Sequence, residues 1–401
     1  MKDLYYSKKL KQYFPTRLDY LLYAHDGRGL GHVSRTVAVG LALKRLYPES
    51  RVLVISGSSK TGMIVGPGSL DWIKLPSYQT VLTNGVSEGR DGDSGYYKSV
   101  LGNLRADMLR AMVEILKPHC VLVDHNPFGK RKELLKALDQ SIGFNSQWIL
   151  GLRGIVGDDK NLWSVQSIEV VQKYYREIIW YGDSDILGAE PLDRIKRHFK
   201  QNVTEMGYVS RLLEVKHFIK NMTDKVEKPV CTVSIPWLGE QSGNFIHSLY
   251  HVIRGIGSSY GKWHIYVSET HIADMKVLFE DLSFCLIEPI SDRYIRSLLH
   301  SQSAIIYGGY NSVLDVVAAE LPVLVVLRST RDGEQQDHLH RLSVFVGNNW
   351  QIVEEEKFTD PMLEEAVRFL LSSKPISSSG VDFSGAEKTA KHLHQILKDS
   401  K

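Results

Sequence analysis

Three cysteines in 401 residues, at positions 120, 231 and 285, are too few and too scattered for a disulfide framework, and no Cys-x-x-Cys pair is present to begin a zinc site. Each lies in or beside an apolar, strand-like run, which reads as a small buried hydrophobe in a reducing, cytoplasmic setting. Charge of one sign is also nearly absent as an excess. Lys plus Arg is 49 and Asp plus Glu is 46, a balance of +3 that argues against a protein built around nucleic acid. No apolar run approaches the ~20 residues of a membrane span, and Met1-Lys2-Asp3-Leu4-Tyr5-Tyr6 lacks the apolar stretch of a secretion signal. Near that end Tyr5, Tyr6, Lys8, Lys9, Lys11, Tyr13 and Phe14 are interleaved, a mixture that suits either peripheral contact with an anionic membrane or an amphipathic extension lying on the protein. Hydrophobic residues are 43% and charged residues 24%, as in ordinary globular chains, and at about 150 residues per domain the length allows two or three domains.

What fills the chain is alternation. Apolar, β-branched runs at 20–24, 51–55, 120–123, 148–152 and 178–181 read as strands, and the stretches 33–46 and 104–116 read as helices. In the first helix Val33, Val37, Ala38 and Leu41 recur at helical spacing. The order then restarts, with strands at 229–235, 263–267, 284–287, 304–307 and 323–327 and helices from 244, at 292–299 and at 311–319. Repeated βα order predicts a parallel sheet covered on both faces, here twice. The charged stretch 212–228 separates the halves, 372–380 is a Ser-rich flexible loop, and 386–398 is a closing amphipathic helix. The expected division is 1–215, 216–385 and a C-terminal helix, 386–401. Two such sheets leave a cleft at their C-terminal edges, where open α/β sheets bind ligands.

Two constellations stand at strand-to-helix junctions. Gly27-Arg28-Gly29-Leu30-Gly31-His32 follows the first strand, and Gly29 and Gly31 suit close backbone approach and anion binding at a helix start. A dinucleotide site would have a third Gly where His32 stands and an acid ending the second strand, which instead runs Ile55-Ser56-Gly57-Ser58-Ser59. A neutral imidazole at His32 could take a proton from a hydroxyl near pH 7, with Asp124, which ends the strand 120–123, as its orienting acid. Plain helix capping by both residues is the alternative, and the sequence leaves the two open. In the second half, Tyr307-Gly308-Gly309-Tyr310-Asn311-Ser312 again joins a strand to a helix. Gly309, with Asn311 and Ser312 as caps, would offer N–H groups to a phosphate. Asp315, one turn on, could accept bonds from vicinal hydroxyls such as those of a ribose, and Glu334 and Gln335 could meet a sugar's hydroxyls.

Gly29-Leu30-Gly31-His32-Val33-Ser34-Arg35 followed by Gly308-Gly309-Tyr310-Asn311-Ser312 and then Glu334-Gln335 resembles the GT-B glycosyltransferases, over about residues 20–347. The nearest group resembles the transferases that add N-acetylglucosamine to the peptidoglycan lipid intermediate, with their predicted-glycosyltransferase relatives. The resemblance implies a GT-B α/β fold, two Rossmann-like parallel-sheet domains facing across a cleft. It implies a nucleotide sugar, commonly UDP-N-acetylglucosamine, as co-substrate with no further cofactor, transfer with inversion, and His32 at the reacting centre. By matching position, Asp315 would hold the ribose, Gly309, Asn311 and Ser312 the diphosphate, Glu334 and Gln335 the donor sugar, and the backbone of Ile290 the base. Gly207-Tyr208-Val209-Ser210-Arg211 resembles the interdomain crossing, with Arg211 reaching the phosphates, and the final helix would cross back onto the first domain.

The chain departs from that pattern at three places. Pro236-Trp237-Leu238-Gly239-Glu240-Gln241-Ser242-Gly243 is longer than the usual Gly-Ser loop, Asp315 stands where the nearest group has Glu, and His338 where Asn is usual. No DxD-type metal site stands out, since Asp183-Ser184-Asp185 lies at a strand end in the first half and reads as a turn. The acceptor is expected on the first domain, at the polar, Gly-rich loop 82–97. Lys130-Arg131-Lys132, close to Asp124, reads as a solvated helix face or as a seat for a phosphorylated acceptor. A nucleotide-sugar epimerase or hydrolase, or a non-catalytic nucleotide-sugar-binding protein, would share these features.

Overall fold

The computed structural model describes residues 17–25, 30–83, 86–90, 92, 94–157, 160, 162–219, 228–236, 242–328, 334–347 and 350–400. The aromatic and basic stretch 5–14, Gly29 and the loop 237–241 lie outside the described residues.

The first sheet runs in the order β3 (Asp71–Lys74), β2 (Val52–Ser56), β1 (Tyr20–Ala24), β6 (Cys120–Asp124), β7 (Gln147–Arg153), β8 (Tyr175–Tyr181) and β9 (Val203–Glu205). Every pairing in it is parallel. β1 and β6 are buried at all five positions, the near-continuous apolar runs expected of strands covered on both faces. The second sheet, also wholly parallel, runs β12 (Cys285–Pro289), β11 (Trp263–Val267), β10 (Cys231–Ile235), β13 (Ala304–Tyr307), β14 (Val323–Leu327) and β15 (Trp350–Glu354). Along β13 the alternation of the pleat divides two cores. Ile306 joins a core continuous with the first domain, whereas Ile305 faces a separate core with Phe245, Leu249 and Val367.

The stretch expected to be a polar loop at 82–97 overlaps an antiparallel hairpin, β4 (Gln79–Thr83) and β5 (Val86–Arg90), standing apart from the main sheet. Alternation over five polar-rich residues per strand is too weak a signal to read against the surrounding glycines. The short edge strands β3 and β9, at four and three residues, escape sequence reading for the same reason. Lys130–Lys132 is a 3-10 turn and not a helix face, with left-handed backbone at Arg131 (φ 55°) and Lys132 (φ 65°). Asp183-Ser184-Asp185, expected as a turn, is the start of the short helix Ser184–Leu187, with Asp183 as N-cap accepting from the Asp185 amide.

In each sheet the strand order reverses once beside the first strand of its half, between β1 and β6 and between β10 and β13. These switch points open a crevice at the C-terminal strand ends. The chain passes between domains twice, and the two crossings pair with each other. Tyr208 donates its amide to Asp382 O at 2.7 Å, and Gly385 donates to Tyr208 O at 3.0 Å. The helix Arg211–Ile219 packs on the helix Gly31–Leu46 of the first domain and on Tyr310–Ala318 and Asp292–His300 of the second. The last helix, Gly385–Asp399, returns to the first domain. Leu393 and Ala390 are fully buried in it, Tyr20 Oη meets His394 Nδ1 at 3.0 Å, and His392 Nε2 meets Glu177 Oε1 at 2.6 Å. Arg45 ties this junction by bonding both Glu214 and Glu387. Among the described residues no helix is long and apolar enough to cross a membrane.

Because the last helix completes the first domain's core, Leu393→Ala is expected to cost about 2–5 kcal/mol, the usual range for a fully buried leucine. Urea unfolding followed by tryptophan fluorescence checks this, and an unchanged midpoint would separate the helix from that core.

Candidate functional site

β1 ends at Ala24, and the next described residues beyond His25 are Leu30 and Gly31, where the helix Gly31–Leu46 begins without a side-chain cap. Gly31 answers to a contact across the cleft. A Cβ there would lie 2.6 Å from Nδ2 of Asn311, so the first domain's helix start directly faces the second domain's. His32 follows, with its side chain 24% exposed at the cleft, and its Nδ1 lies 2.6 Å from Oδ2 of Asp124. Asp124, at the end of β6, is 3% exposed. Arg35, one turn beyond His32, adds a fork from Nε to Oδ1 at 2.7 Å and from Nη2 to Oδ2 at 2.9 Å. The structure therefore brings His32 and Asp124 together, and it adds an arginine that sequence reading left out. The signal was present: His32 and Arg35 are three residues apart at a helix start, on one face.

A carboxylate can only accept, so Nδ1 of His32 carries the proton and Nε2 is left for the cleft. Burial works against the charge on Asp124, but Arg35 and His32 outweigh it and hold the carboxyl well below its ordinary range. Burial also pushes His32 down, against the bond and charge of Asp124, to about 4. Two further imidazoles stand behind it. The ring of His25 is 4.0 Å from that of His32, and that of His125 is 5.4 Å away. Three rings do not make a metal centre here. Among the described residues no group of three His, Cys, Asp or Glu side chains is placed to hold an ion.

Across the cleft, β13 ends at Tyr307 and the helix Tyr310–Ala318 follows Gly309. Asn311 and Ser312 are not caps as expected. They lie inside the first turn, and the helix start has no side-chain cap. Gly309 also differs from expectation, since its amide donates to Tyr307 O at 2.7 Å, while its carbonyl accepts the first intrahelical bond from Val313. An uncapped helix N-terminus carries partial positive charge and suits an anion. Tyr310, absent from the sequence candidates, links the domains here: its hydroxyl accepts from the Gly154 amide and donates to Tyr181 O, both at 3.2 Å. Gly154 is tied to that contact, because a Cβ would meet the Tyr310 hydroxyl at 2.7 Å. His338 is buried and stacks on Tyr310 with centroids 4.4 Å apart. Burial, aided by Arg153, pushes its imidazole down to about 3.

The remaining donor candidates are arranged differently from expectation. Asp315 is buried, and its Oδ1 accepts from Ser210 Oγ at 2.7 Å and from the Leu212 amide at 3.4 Å, so that oxygen holds the crossing segment. Burial raises its carboxyl above the ordinary range, against the opposing charge of Arg211 and the Ser210 bond. Arg211 is buried, and its Nη1 donates to Ile64 O of the first domain at 2.9 Å. The Ile290 amide donates to Val267 O at 2.9 Å, which leaves the carbonyl as its backbone group for a ligand. Gln335 is half-buried at the head of its helix, its Oε1 3.3 Å from where a Cβ on Gly308 would stand. The side chain of Glu334 lies outside the described residues. Beside Gly154 an interdomain cavity of about 170 Å³ is walled by Ile155, Val156, Trp163 and Leu187, with Arg194 and Arg341 at its edge.

Solved structures match this chain along almost its whole length. UDP-GlcNAc 2-epimerase from Methanocaldococcus jannaschii superposes with a TM-score of 0.60 at 10% identity, covering 94% of this chain and 100% of that one. UDP-GlcNAc 2-epimerase from Neisseria meningitidis bound to UDP-GlcNAc gives 0.59 at 11% identity, covering 95% and 100%. UGT71G1 of Medicago truncatula complexed with UDP-glucose gives 0.53 at 12% identity, covering 96% and 98%. This chain has the GT-B fold. At these identities the likeness is one of fold, and the GT-B architecture is what sets the two helix starts face to face. No protein-family model matches the sequence, and no curated protein does.

Desolvated imidazoles couple stability of this GT-B chain to pH. An unfolded histidine titrates near 6.5, whereas in the folded chain desolvation pushes His32 down to about 4 and His338 down to about 3, and lowers His25 well below 6.5. Between pH 6.5 and about 4 the unfolded chain binds protons that the folded chain refuses. Stability present above 6.5 is therefore lost as pH falls, at about 1.4 kcal/mol per pH unit per histidine. Unfolding midpoints measured from pH 7 to 4 should fall, and less steeply in His338→Phe, which keeps the ring stack without the titration.

Proposed function

We propose that this protein is a glycosyltransferase that moves a sugar, by preference N-acetylglucosamine, from a UDP-linked donor to a hydroxyl or amine acceptor with inversion. One observation carries the reading. His32, held by Asp124, opens on the cleft opposite the uncapped start of the helix Tyr310–Ala318, with Gly31 against Asn311. A base and an anion-stabilising helix end on opposite walls are what a single displacement requires. Nε2 of His32 takes the acceptor's proton, the acceptor's lone pair forms the bond to the anomeric carbon, and the bond from that carbon to the diphosphate breaks on the far side. The departing diphosphate collects negative charge, which the helix start with Asn311 and Ser312 stabilises without reorganising.

The donor residues are proposed in the same frame. Gln335 and Glu334 meet the sugar, the carbonyl of Ile290 meets the base, and Asp315 meets the ribose once Ser210 yields its oxygen. Arg211 would have to leave Ile64 to reach a phosphate, so its part is the smaller one. The interdomain cavity beside Gly154, lined by Glu190, Arg194, Asp337 and Arg341 as well as by apolar side chains, suits a polar acceptor, since it opens three residues beyond Gly151, the β7 partner of Asp124.

An epimerase on the same scaffold is the second reading, supported by the two epimerases with TM-scores near 0.6. Moving a proton off and onto a sugar carbon needs an acid as well as a base. Asp124 is a poor acid here, because Arg35 occupies both its oxygens and keeps it ionised. Incubation with UDP-N-acetylglucosamine alone separates the readings, since an epimer or free sugar formed without acceptor would favour the second.

With a donor panel and cell-extract acceptors, followed by mass spectrometry, His32→Ala should lower turnover by about 10²-fold or more while UDP binding survives. Unchanged turnover rejects His32 as the base. Asp315→Ala should weaken UDP binding measured by calorimetry by about tenfold, the worth of one charged hydrogen bond, and unchanged affinity rejects the ribose role.

A further inference from the structure

Asp124 receives more positive charge than an orienting carboxylate needs. Arg35 is 3% exposed and grips both oxygens, and Oδ2, which it reaches at 2.9 Å, is the same atom that accepts from His32 Nδ1 at 2.6 Å. In a histidine–carboxylate pair standing alone, the anion draws a second proton onto the ring and raises its basicity. With the guanidinium fork in place, part of that pull is offset, and a proton on Nε2 would set a second cation beside the first. The other groups around His32 push the same way. His25 faces it from the end of β1 and His125 from the end of β6, and Lys130 adds positive potential at His25. Tyr181 from β8 and Tyr310 from the second domain face Arg35, and burial raises both phenols, so they remain neutral.

We propose that Arg35 is a positioning residue for His32. It pins Asp124 in place, which keeps the proton on Nδ1 and turns Nε2 to the cleft, and it shares the carboxylate's charge, which limits the basicity of His32 so that the ring stays a free base into the acid range. The proposal rests on the reading of His32 as the base. It differs from a packing role in what it moves: the protonation of a neighbouring ring and not only the stability of the fold. Burial is the largest cause that lowers His32, and the charge of Arg35 adds to it in the same direction.

The test is a 13C titration of labelled histidine side chains in the full chain without donor or acceptor, with the His32 signal assigned by its loss in His32→Gln. Arg35→Gln removes the charge, and Arg35→Lys keeps a charge that reaches one oxygen. The His32 midpoint should rise by about one pH unit or more in Arg35→Gln and by about half a unit in Arg35→Lys. The acid limb of turnover should move to higher pH by the same steps while UDP affinity stays unchanged. A His32 midpoint that does not move in a folded variant overturns the proposal, and if Arg35→Gln fails to fold, Arg35→Lys decides alone. The titration is read without turnover, so failure of the glycosyltransferase reading and failure of this proposal are distinguishable.

Discussion

Asp124 is a buried carboxylate shared by a fixed cation and a neutral ring, and the working surface of the first domain is arranged around it. Its place at the end of β6 comes from a strand buried on both faces, so the side chain emerges where the sheet stops and the cleft begins. Desolvation works against its charge. Arg35 and His32 together outweigh that, and the ionised acceptor fixes which nitrogen of His32 carries the proton. Remove the fork and the ring would gain a stronger anion; remove the carboxylate and a buried guanidinium would lose its partner, which is the costlier loss.

The second constraint is how closely the two domains meet. Gly31 lies against Asn311 and Gly154 against Tyr310, and in both cases a single added carbon would collide with the opposite domain. Tyr310 then bonds backbone groups at the ends of β7 and β8, so the start of the second domain's helix is located by the first domain's sheet. Behind these contacts the two chain crossings pair as a short backbone ladder at Tyr208, Asp382 and Gly385. The last helix buries its apolar face on the first domain, and Arg45 ties it to the helix Arg211–Ile219. The cleft is thus bounded by contacts at its mouth and by the paired crossings behind it.

The long apolar strands, the helices after each glycine junction and the doubling of the βα pattern were readable directly, because continuous burial and helical spacing leave strong periodic marks. The pairing of His32 with Asp124 was readable as a candidate, because both lie at strand ends that a parallel sheet brings to one edge. Arg35 was passed over although it shares a helix face with His32, since a buried cation on a core helix contradicts the usual pattern until its partner is known. The hairpin β4–β5 was hidden by its polar, Gly-rich surroundings, and the protein contacts that Asp315 and Arg211 make, to Ser210, Leu212 and Ile64, leave no mark in the local sequence.

By itself the sequence determined the fold class, the two halves and the placement of a glycine junction and a histidine at the edge of the first sheet. Those follow from local periodicity and from the rule that parallel strands end together. Only the tertiary structure decided which groups those edges meet: that Asp124 is held by Arg35 as well as His32, that Asp315 clasps Ser210 and Leu212, that Arg211 turns to Ile64, and that Gly31 faces Asn311. These contacts join residues tens to hundreds of positions apart. Their geometry depends on how helices pack against a sheet and how the two sheets dock, and no spacing along the chain records it.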